Sequence, residues 1–195
     1  MFAYMMENPE RPMATIYYTA TSLDGFIADE QDGLDWLLRL TNPDESGFAS
    51  FLAGIGAIAM GGNTYRWLLQ HHRNPDGSRA AWPYAVPGWI FSRREIEPYP
   101  GADLRRAHGP VQSQYPAMRD AAAGKHLWIV GGGDLAGQFF DAQLLDQLHV
   151  TVASVTLGRG KPLLPRRIEN ALRLEQAKPM GASFVELTYR VSYPS

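Results

Sequence analysis

Apolar residues recur along this chain in short runs, and each run is followed by glycine or by polar residues. The run at residues 15–20 is β-branched and aromatic, which predicts a buried strand. Residues 26–28 predict a short extended piece after a turn, and other apolar runs predict three more strands, at residues 55–60, 88–91 and 126–130. Five other segments have the wider apolar spacing of helices: residues 34–40, 45–52, 63–70, 111–123 and 134–145. Asn63 is the expected cap of the third of these helices.

The pattern changes near residue 146. Beyond it, alternation with a period of two predicts strands around residues 148–155, 171–177 and 183–191, with no helix between them. Strands that alternate with helices indicate a mainly parallel sheet, and the strands that follow indicate an antiparallel edge. The predicted fold class is therefore α/β, with a mostly parallel central sheet and antiparallel C-terminal strands.

The composition is that of an ordinary globular protein. The chain has 195 residues, of which 45% are hydrophobic and 19% charged, and this suits one domain with a sizeable core. A net charge of −2 disfavours general nucleic-acid binding. The absence of cysteine excludes disulfides, thiolate catalysis and cysteine-bound metal, and it fits a cytoplasmic location.

The ends of the chain and its histidines add further expectations. Residues 1–12 contain charges and two prolines, and they predict a flexible N-terminal extension before one domain at residues 13–195. No apolar run is long enough to cross a bilayer, so we expect no membrane partner. The histidines share no ligand spacing with each other or with carboxylates, so we expect no metal.

Three predicted strand ends carry small or polar residues, at the edge where open α/β sheets bind ligands. They comprise Gly61, Gly62, Asn63 and Thr64; Ser92, Arg93 and Arg94; and Gly131, Gly132 and Gly133. Three glycines between a strand and a helix let a pyrophosphate reach free N–H groups, and a tight packed turn is the alternative explanation. A hydroxyl beside a guanidinium can hold a phosphomonoester such as that of NADP, and a solvated strand end is the alternative.

Two carboxylates are candidates for catalysis. Asp24 follows the first strand, where a catalytic or substrate-positioning group could enter the cleft, although Asp-Gly is also a common turn. Asp35 lies in the first turn of a predicted helix that could face the same cleft, and favourable helix electrostatics is its alternative explanation.

The segments around these strand ends resemble the dihydrofolate reductase-like superfamily, and most closely its branch with the riboflavin-pathway reductase domain. The resemblance runs in family order from about Thr15 to Val191, through "TATSLDGFIA", "AMGGNTYRWL", "WIFSRRE", "LWIVGGGDLAGQF" and "DQLHVTVASVTLGRGKPLLP". It implies a three-layer α/β/α fold, an NADPH site, a small-molecule substrate and a homodimer.

The resemblance also implies roles for individual residues. The first two strand ends would flank the adenosine end of the cofactor, the glycine turn would carry its phosphates, and the loop after the first strand would border the nicotinamide and the substrate. The implied cofactor-binding residues are Ala20, Ile27, Gly61, Gly62, Asn63, Thr64, Ser92, Arg93, Arg94, Val130, Gly131, Gly132, Gly133, Asp134, Leu135 and Ala136. The catalytic candidates are Ser22, Asp24 and Asp35, with water as another proton source.

The chain departs from the family pattern in two places. Gly62 stands where the family has an arginine that binds a cofactor phosphate, and Asp134 adds a negative charge beside the glycine turn. The expected function is NADPH-dependent hydride transfer to a C=N or C=O of a small heterocyclic substrate, pterin-like or aminopyrimidine-like. The alternative is a catalytically degenerate module that binds a nucleotide or pterin with the same fold.

Overall fold

The structure is a computed structural model that describes residues 13–40, 45–169 and 171–193. Its strands are β1 (Thr15–Ser22), β2 (Phe26–Ala28), β3 (Ile55–Gly61), β4 (Gly88–Phe91), β5 (Leu104–Ala107), β6 (His126–Gly131), β7 (Gln147–Ala153), β8 (Lys161–Pro162), β9 (Leu172–Met180) and β10 (Phe184–Val191). Its helices are α1 (Asp35–Leu38), α2 (Glu45–Ala53), α3 (Gly62–His71), α4 (Val111–Ala122) and α5 (Gly133–Asp141).

The main sheet has eight strands in the order β5-β4-β3-β6-β1-β7-β10-β9. Neighbours from β5 to β7 in that order run parallel, whereas β10 is antiparallel to both β7 and β9. A separate antiparallel pair joins β2 to β8. These pairings confirm the predicted mostly parallel sheet with antiparallel C-terminal strands.

Helices cover both faces of this sheet because successive residues of a strand point to opposite sides. On β6, Leu127 and Ile129 pack into a core that includes Phe139 of α5. Between them, Trp128 faces the other way, into a second core with Tyr65 of α3. Strands buried on both faces explain the continuous apolar runs of the sequence, and the arrangement confirms the three-layer prediction.

Some predicted elements differ from the observed ones. The cap of α3 is Gly61, whose φ of −73° and ψ of 155° are extended, so the prediction of Asn63 as the cap was wrong. Asn63 lies instead in the first turn, where its side-chain oxygen accepts a hydrogen bond from Arg66. Helix α5 ends at Asp141, before the predicted residue 145, and Gln143 just beyond it has a φ of +57°.

Two strands were not predicted, β5 and the two-residue β8. The extension predicted for residues 1–12 lies outside the described residues, and so does the sequence Asn-Pro-Asp at residues 42–44, which predicts a break between two helices. Within the described part of the chain, no helix combines the length and the apolar character that crossing a membrane requires.

Candidate functional site

A cleft of about 470 Å³ opens at the carboxyl ends of four parallel strands. Three strands contribute their last residues to its wall, Gly61 of β3, Phe91 of β4 and Gly131 of β6, and β1 contributes Thr19. Many of the residues predicted to bind cofactor line this cleft: Ile27, Gly61, Gly62, Asn63, Thr64, Val130, Gly131, Gly132, Gly133, Asp134 and Leu135. The structure therefore brings the β3 and β6 strand ends together at one site.

The three glycines after β6 each have a different structural reason. A Cβ on Gly131 would lie 2.9 Å from Oγ1 of Thr64, which belongs to α3. Gly132 has a φ of +97°, a left-handed conformation that L-residues avoid. A Cβ on Gly133 would lie 2.2 Å from the carbonyl oxygen of Pro162. Packing and backbone conformation thus account for all three glycines, and the same packing sets their backbone against the cleft.

Two helices begin at this cleft without a side-chain cap. The cap residues are Gly61 for α3 and Gly132 for α5, and neither position provides a capping side-chain hydrogen bond. A Cβ on Gly132 would lie 3.7 Å from the Cα of Gly61, so the two turns are in contact. The first N–H groups of a helix have no intrahelical acceptor, and the helix dipole adds partial positive charge there. The cleft can therefore accept an anion from two helix ends at once.

Asp134 lies in the first turn of α5, and its negative charge is paired with a neighbouring arginine. Its Oδ2 accepts a hydrogen bond of 2.9 Å from Gln138, and its Oδ1 lies 3.1 Å from Nη1 of Arg166. The hydrogen bond from Gln138, with a further contribution from Arg166, lowers the pKa of Asp134 below its ordinary value. The carboxylate is thus ionised at neutral pH and paired with a cation that sequence analysis did not identify.

The Ser92–Arg94 segment stands apart from the cleft lining. The Ser92 hydroxyl donates to the carbonyl oxygen of Arg94 at 2.9 Å and accepts from its N–H at 3.1 Å. Both Arg93 and Arg94 are exposed. Ser92 also limits its neighbour, since a Cβ on Gly62 would lie 3.2 Å from Cβ and Oγ of Ser92. This contact is a physical reason for glycine at position 62.

Ser22 and Asp24 form a turn that holds another loop. The Ser22 hydroxyl donates to Asp24 at 2.6 Å, and the Asp24 carboxylate accepts from the N–H groups of Leu157 and Gly158 at 3.0 Å and 2.7 Å. These bonds, the one from Ser22 first, lower the pKa of Asp24. The carboxylate oxygens are therefore occupied by the protein's own donors, and the group is a poor proton donor at neutral pH.

The other predicted residues lie in varied places. Asp35 is exposed in the first turn of α1 and makes no part of the cleft wall. Ala20 is half-buried on β1, and Ala136 is fully buried in the core beneath α5. Neither of these two alanines lines the cleft.

Sequence analysis missed a polar connection at the cleft. Asp32 accepts a hydrogen bond of 3.3 Å from the side chain of Asn63, and its other oxygen lies 3.7 Å from Nζ of Lys161. All three residues line the cleft, and together they tie the loop after β2 to α3 and to β8. Lys161 stands in the "GRGKP" segment of the family resemblance, which was the available signal.

Sequence analysis also missed an aromatic group on the α2 side of the sheet. Tyr18, next to Thr19 of the cleft, contacts Phe51 and His149 with ring centroids 4.8 Å and 5.5 Å apart. The Tyr18 hydroxyl donates to Glu186 at 2.6 Å. Burial lowers the pKa of His149 to about 4, so its imidazole is neutral at physiological pH. The group offers flat apolar surface with a carboxylate beside it.

The described residues contain no cluster of three or more histidine, aspartate or glutamate side chains that could hold a metal ion.

Comparison with known proteins gives a family match and several relatives. The model of the RibD C-terminal domain matches residues 115–185. The uncharacterized protein YwjB of Bacillus subtilis is 27% identical over 176 residues, which cover 90% of this chain and 96% of that protein. The segment that matches the RibD model includes β6, the glycine turn and α5.

Solved structures extend the likeness over most of the chain. A candidate riboflavin biosynthesis protein from Shewanella sp. PV-4 is 28% identical, with a TM-score of 0.75 over 93% of this chain and 100% of that one. The deaminase/5-amino-6-(5-phosphoribosylamino)uracil reductase of Thermotoga maritima is 16% identical, with a TM-score of 0.63 over 92% of this chain and 57% of that one.

Dihydrofolate reductase from Enterococcus faecalis, solved with NADP(H), is 13% identical, with a TM-score of 0.62 over 94% of this chain and 98% of that one. At such low identity, this structure and the Thermotoga structure speak for the fold alone. The chain therefore has the fold of dihydrofolate reductase, and over residues 115–185 it is similar to the RibD C-terminal domain.

Proposed function

We propose that this protein is an NADPH-dependent reductase that transfers a hydride to a C=N or C=O of a small heterocyclic substrate. The observation that carries the proposal is the meeting of two uncapped helix ends, at Gly61 and Gly132, in one cleft. A diphosphate needs several N–H donors and partial positive charge within a few ångströms, and these ends supply both. The Enterococcus faecalis dihydrofolate reductase that was solved with NADP(H) has the same fold.

The residues present fit a dinucleotide. Gly131 and Gly132 place no side chain on their part of the cleft wall, so phosphate oxygens can approach the backbone N–H groups there closely. Lys161 adds a cation on the wall, within reach of Asp32 and of an incoming anion. Arg93 and Arg94 are exposed at the neighbouring strand end, where a ribose phosphate would find guanidinium donors.

The chemistry divides between the cofactor and the chain. NADPH, when bound, supplies the hydride, which adds to the carbon of the C=N or C=O while a proton adds to the nitrogen or oxygen. Because the Asp24 carboxylate is occupied by backbone donors, we propose that water delivers this proton. The chain's contribution is to orient the two reactants and to exclude bulk water from the acceptor carbon.

We propose the aromatic group on the α2 side of the sheet, outside the lining of the cleft, as the substrate end of the site. Tyr18 and Phe51 present ring surface for a flat heterocycle, and Glu186 accepts hydrogen bonds beside them. A pterin or aminopyrimidine has a planar ring with several N–H donors at its edge. That combination matches the surface better than an aliphatic aldehyde or ketone does.

The test is a nucleotide titration followed by turnover. Trp67 lines the cleft, so NADPH should quench tryptophan fluorescence at micromolar concentration, and NADH should require a higher concentration. NADPH oxidation should then be measured with a panel of pterins, aminopyrimidines and quinones. If neither nucleotide quenches the fluorescence, and calorimetry also detects no binding, the reductase proposal is wrong.

A second candidate is a module that binds a nucleotide or pterin without turnover. The contact of position 62 with Ser92 favours it, since the arginine expected from the family would not fit there without a shift of Ser92. One phosphate ligand of the family is thereby missing. Tight NADPH binding with no oxidation across the whole panel would favour this candidate over the reductase.

We also propose a homodimer that uses the sheet edge formed by β9. Among the described strands, β9 is the last in the sheet order and pairs with β10, and its Leu172 and Leu174 side chains are 39% and 53% exposed. Exposed leucines on an edge strand favour association with a second copy. Light scattering at tens of micromolar should give twice the chain mass, and Leu174→Glu should reduce it. A monomeric wild-type protein would contradict the proposal.

A further inference from the structure

We propose that Arg166 is a positioning residue for the cofactor phosphates. It holds the Asp134 carboxylate away from the N–H groups at the start of α5, so that these donors stay available to a diphosphate. This inference rests on the proposed NADPH binding. It assigns a function to an arginine that does not itself need to touch the cofactor.

Arg166 bridges two carboxylates along α5. Its Nε donates to Oδ2 of Asp141 at 2.7 Å, and its Nη1 donates to Oδ1 of Asp134 at 3.1 Å. Nη1 also donates to the carbonyl oxygen of Pro165 at 2.8 Å, so the loop backbone fixes the same group. The guanidinium is therefore held by three acceptors, and its side chain is only 23% exposed.

The surface of α5 is shaped to receive this side chain. A Cβ on Gly137 would lie 2.7 Å from Cζ of Arg166 and 3.0 Å from its Nε. A Cβ at position 137 would require the guanidinium to shift from this place. Gly137 is buried, and it lies between Asp134 and Asp141 in sequence, beneath the bridge.

Both oxygens of Asp134 are engaged on the side of the helix. Gln138 binds Oδ2 at 2.9 Å while Arg166 binds Oδ1, and the α5 terminus has no side-chain cap. An aspartate in the first turn of a helix ordinarily favours the terminal N–H groups, because they carry partial positive charge. Without Arg166, the Asp134 carboxylate would be free to compete with the cofactor for these donors.

Charge repulsion would also weaken the binding of a diphosphate if Arg166 were absent. The hydrogen bond from Gln138 and the proximity of Arg166 lower the pKa of Asp134, so it is ionised when a diphosphate approaches. Arg166 is the cation that pairs with it among the described residues. Removing the guanidinium leaves Asp134, which lines the cleft, without its cation, and the negative charge would oppose an incoming anion.

The experiment compares Arg166→Ala, Asp134→Asn and the double variant in NADPH titrations followed by tryptophan fluorescence. Arg166→Ala should weaken binding roughly tenfold, the scale of one uncompensated charge at a partly exposed site. Asp134→Asn should bind at least as tightly as wild type. The double variant should return to within about threefold of wild type, because the competing carboxylate is gone.

Controls separate this effect from lost folding and from a general loss of charge. Arg167→Ala removes the next cation, which pairs with Glu169 and is 87% exposed, and it should leave NADPH binding unchanged. Arg166→Lys should keep most of the affinity. Thermal unfolding of each variant shows whether the fold persists. Carbon-13 NMR titration should show a higher pKa for Asp134 in Arg166→Ala, without any ligand.

Three outcomes would overturn the inference. Unchanged affinity in Arg166→Ala would show that the bridge does not matter for binding. Weak binding that Asp134→Asn fails to rescue would show that Arg166 contacts the phosphate directly. If wild type binds no nucleotide, the proposed function itself is wrong and the inference fails with it; the first two outcomes leave the proposed function intact.

Discussion

The strand ends after β6 and after β4 were both predicted to hold phosphate, yet they are built in different ways. After β6, Gly131 and Gly133 approach Thr64 and Pro162 too closely for any side chain, and Gly132 has a left-handed backbone. After β4, Ser92 closes a turn on Arg94 and the arginines remain exposed. The first end is fixed by packing, whereas the second is free to vary. We infer that the glycine turn binds the diphosphate, which NADPH and NADH share. The β4 end would distinguish these two nucleotides through the ribose phosphate of NADPH.

The largest effect should follow from Gly133→Ala. Its Cβ would meet two backbone carbonyl oxygens, those of Pro162 at 2.2 Å and Leu163 at 2.5 Å, and neither can move as a side chain could. We expect a loss of about 3 kcal/mol in the free energy of unfolding, the cost of overpacking against backbone. Urea denaturation measures it.

Gly61→Ala is the matched control at the neighbouring strand end. Its Cβ would have its nearest neighbour 4.0 Å away, the carbonyl oxygen of Gly131. We expect stability within about 0.5 kcal/mol of wild type, because a less favourable cap offsets the entropic gain. Equal stability of the two variants would show that packing does not fix the glycine turn.

Gly132→Ala should lower the free energy of unfolding by less than Gly133→Ala does and by more than Gly61→Ala does. There is room for its Cβ, whose nearest neighbour would be Cβ of Leu135 at 3.5 Å, but φ is +97°. Left-handed backbone costs an alanine about 1–2 kcal/mol. The same denaturation series should place this variant between Gly133→Ala and Gly61→Ala. A loss as large as that of Gly133→Ala would contradict the separation of conformation from packing.

The β4 end should respond in selectivity and not in stability. Arg93→Gln should weaken NADPH binding about tenfold and leave NADH binding unchanged, because only the ribose phosphate loses a charged hydrogen bond. Arg94→Gln, on the adjacent exposed residue, tests which guanidinium matters. Fluorescence titration with both nucleotides measures the ratio. Parallel losses for NADPH and NADH would remove this end from cofactor selection.

The smallest effect concerns the strand end after β1, and it depends on pH. The folded protein lowers the pKa of Asp24, so its stabilising contribution is present above the ordinary carboxyl pKa and is lost as pH falls through the lowered value. Asp24→Asn should therefore lower the melting temperature at pH 7. The difference from wild type should shrink below about pH 4. A gap that stays constant with pH would rule out a carboxylate contribution.

Much of the fold could be predicted because β3, β4 and β6 are buried on both faces and read as plain apolar runs. Strand β5 could not, since Arg105 and Arg106 make its sequence polar. Tertiary contacts accommodate them: Arg105 lies 4.6 Å from the ring centre of Trp89, and Arg106 pairs with Glu95. Strand β8 has two residues, too few for any period.

The candidate site, like the fold, could be predicted only in part. The turn at Gly131–Gly133 could be predicted, because three consecutive glycines after an apolar run are visible in the local sequence. The bridge of Arg166 could not, because its partners lie 32 and 25 residues earlier in the chain. Asp24 was visible as a candidate, but its binding of the 157–158 backbone was not, since a turn sequence does not show what packs against it.

The position of β1 has a consequence for how the chain acquires its structure during synthesis. β1 lies between β6 and β7, so Ile16 pairs with Trp128 on one side and with Gln147 on the other. A ribosome makes β1 long before either neighbour. Its apolar residues must therefore stay exposed until most of the protein has been translated. Pairings of such long sequence separation form slowly, and newly made chains of this protein are expected to depend on chaperones.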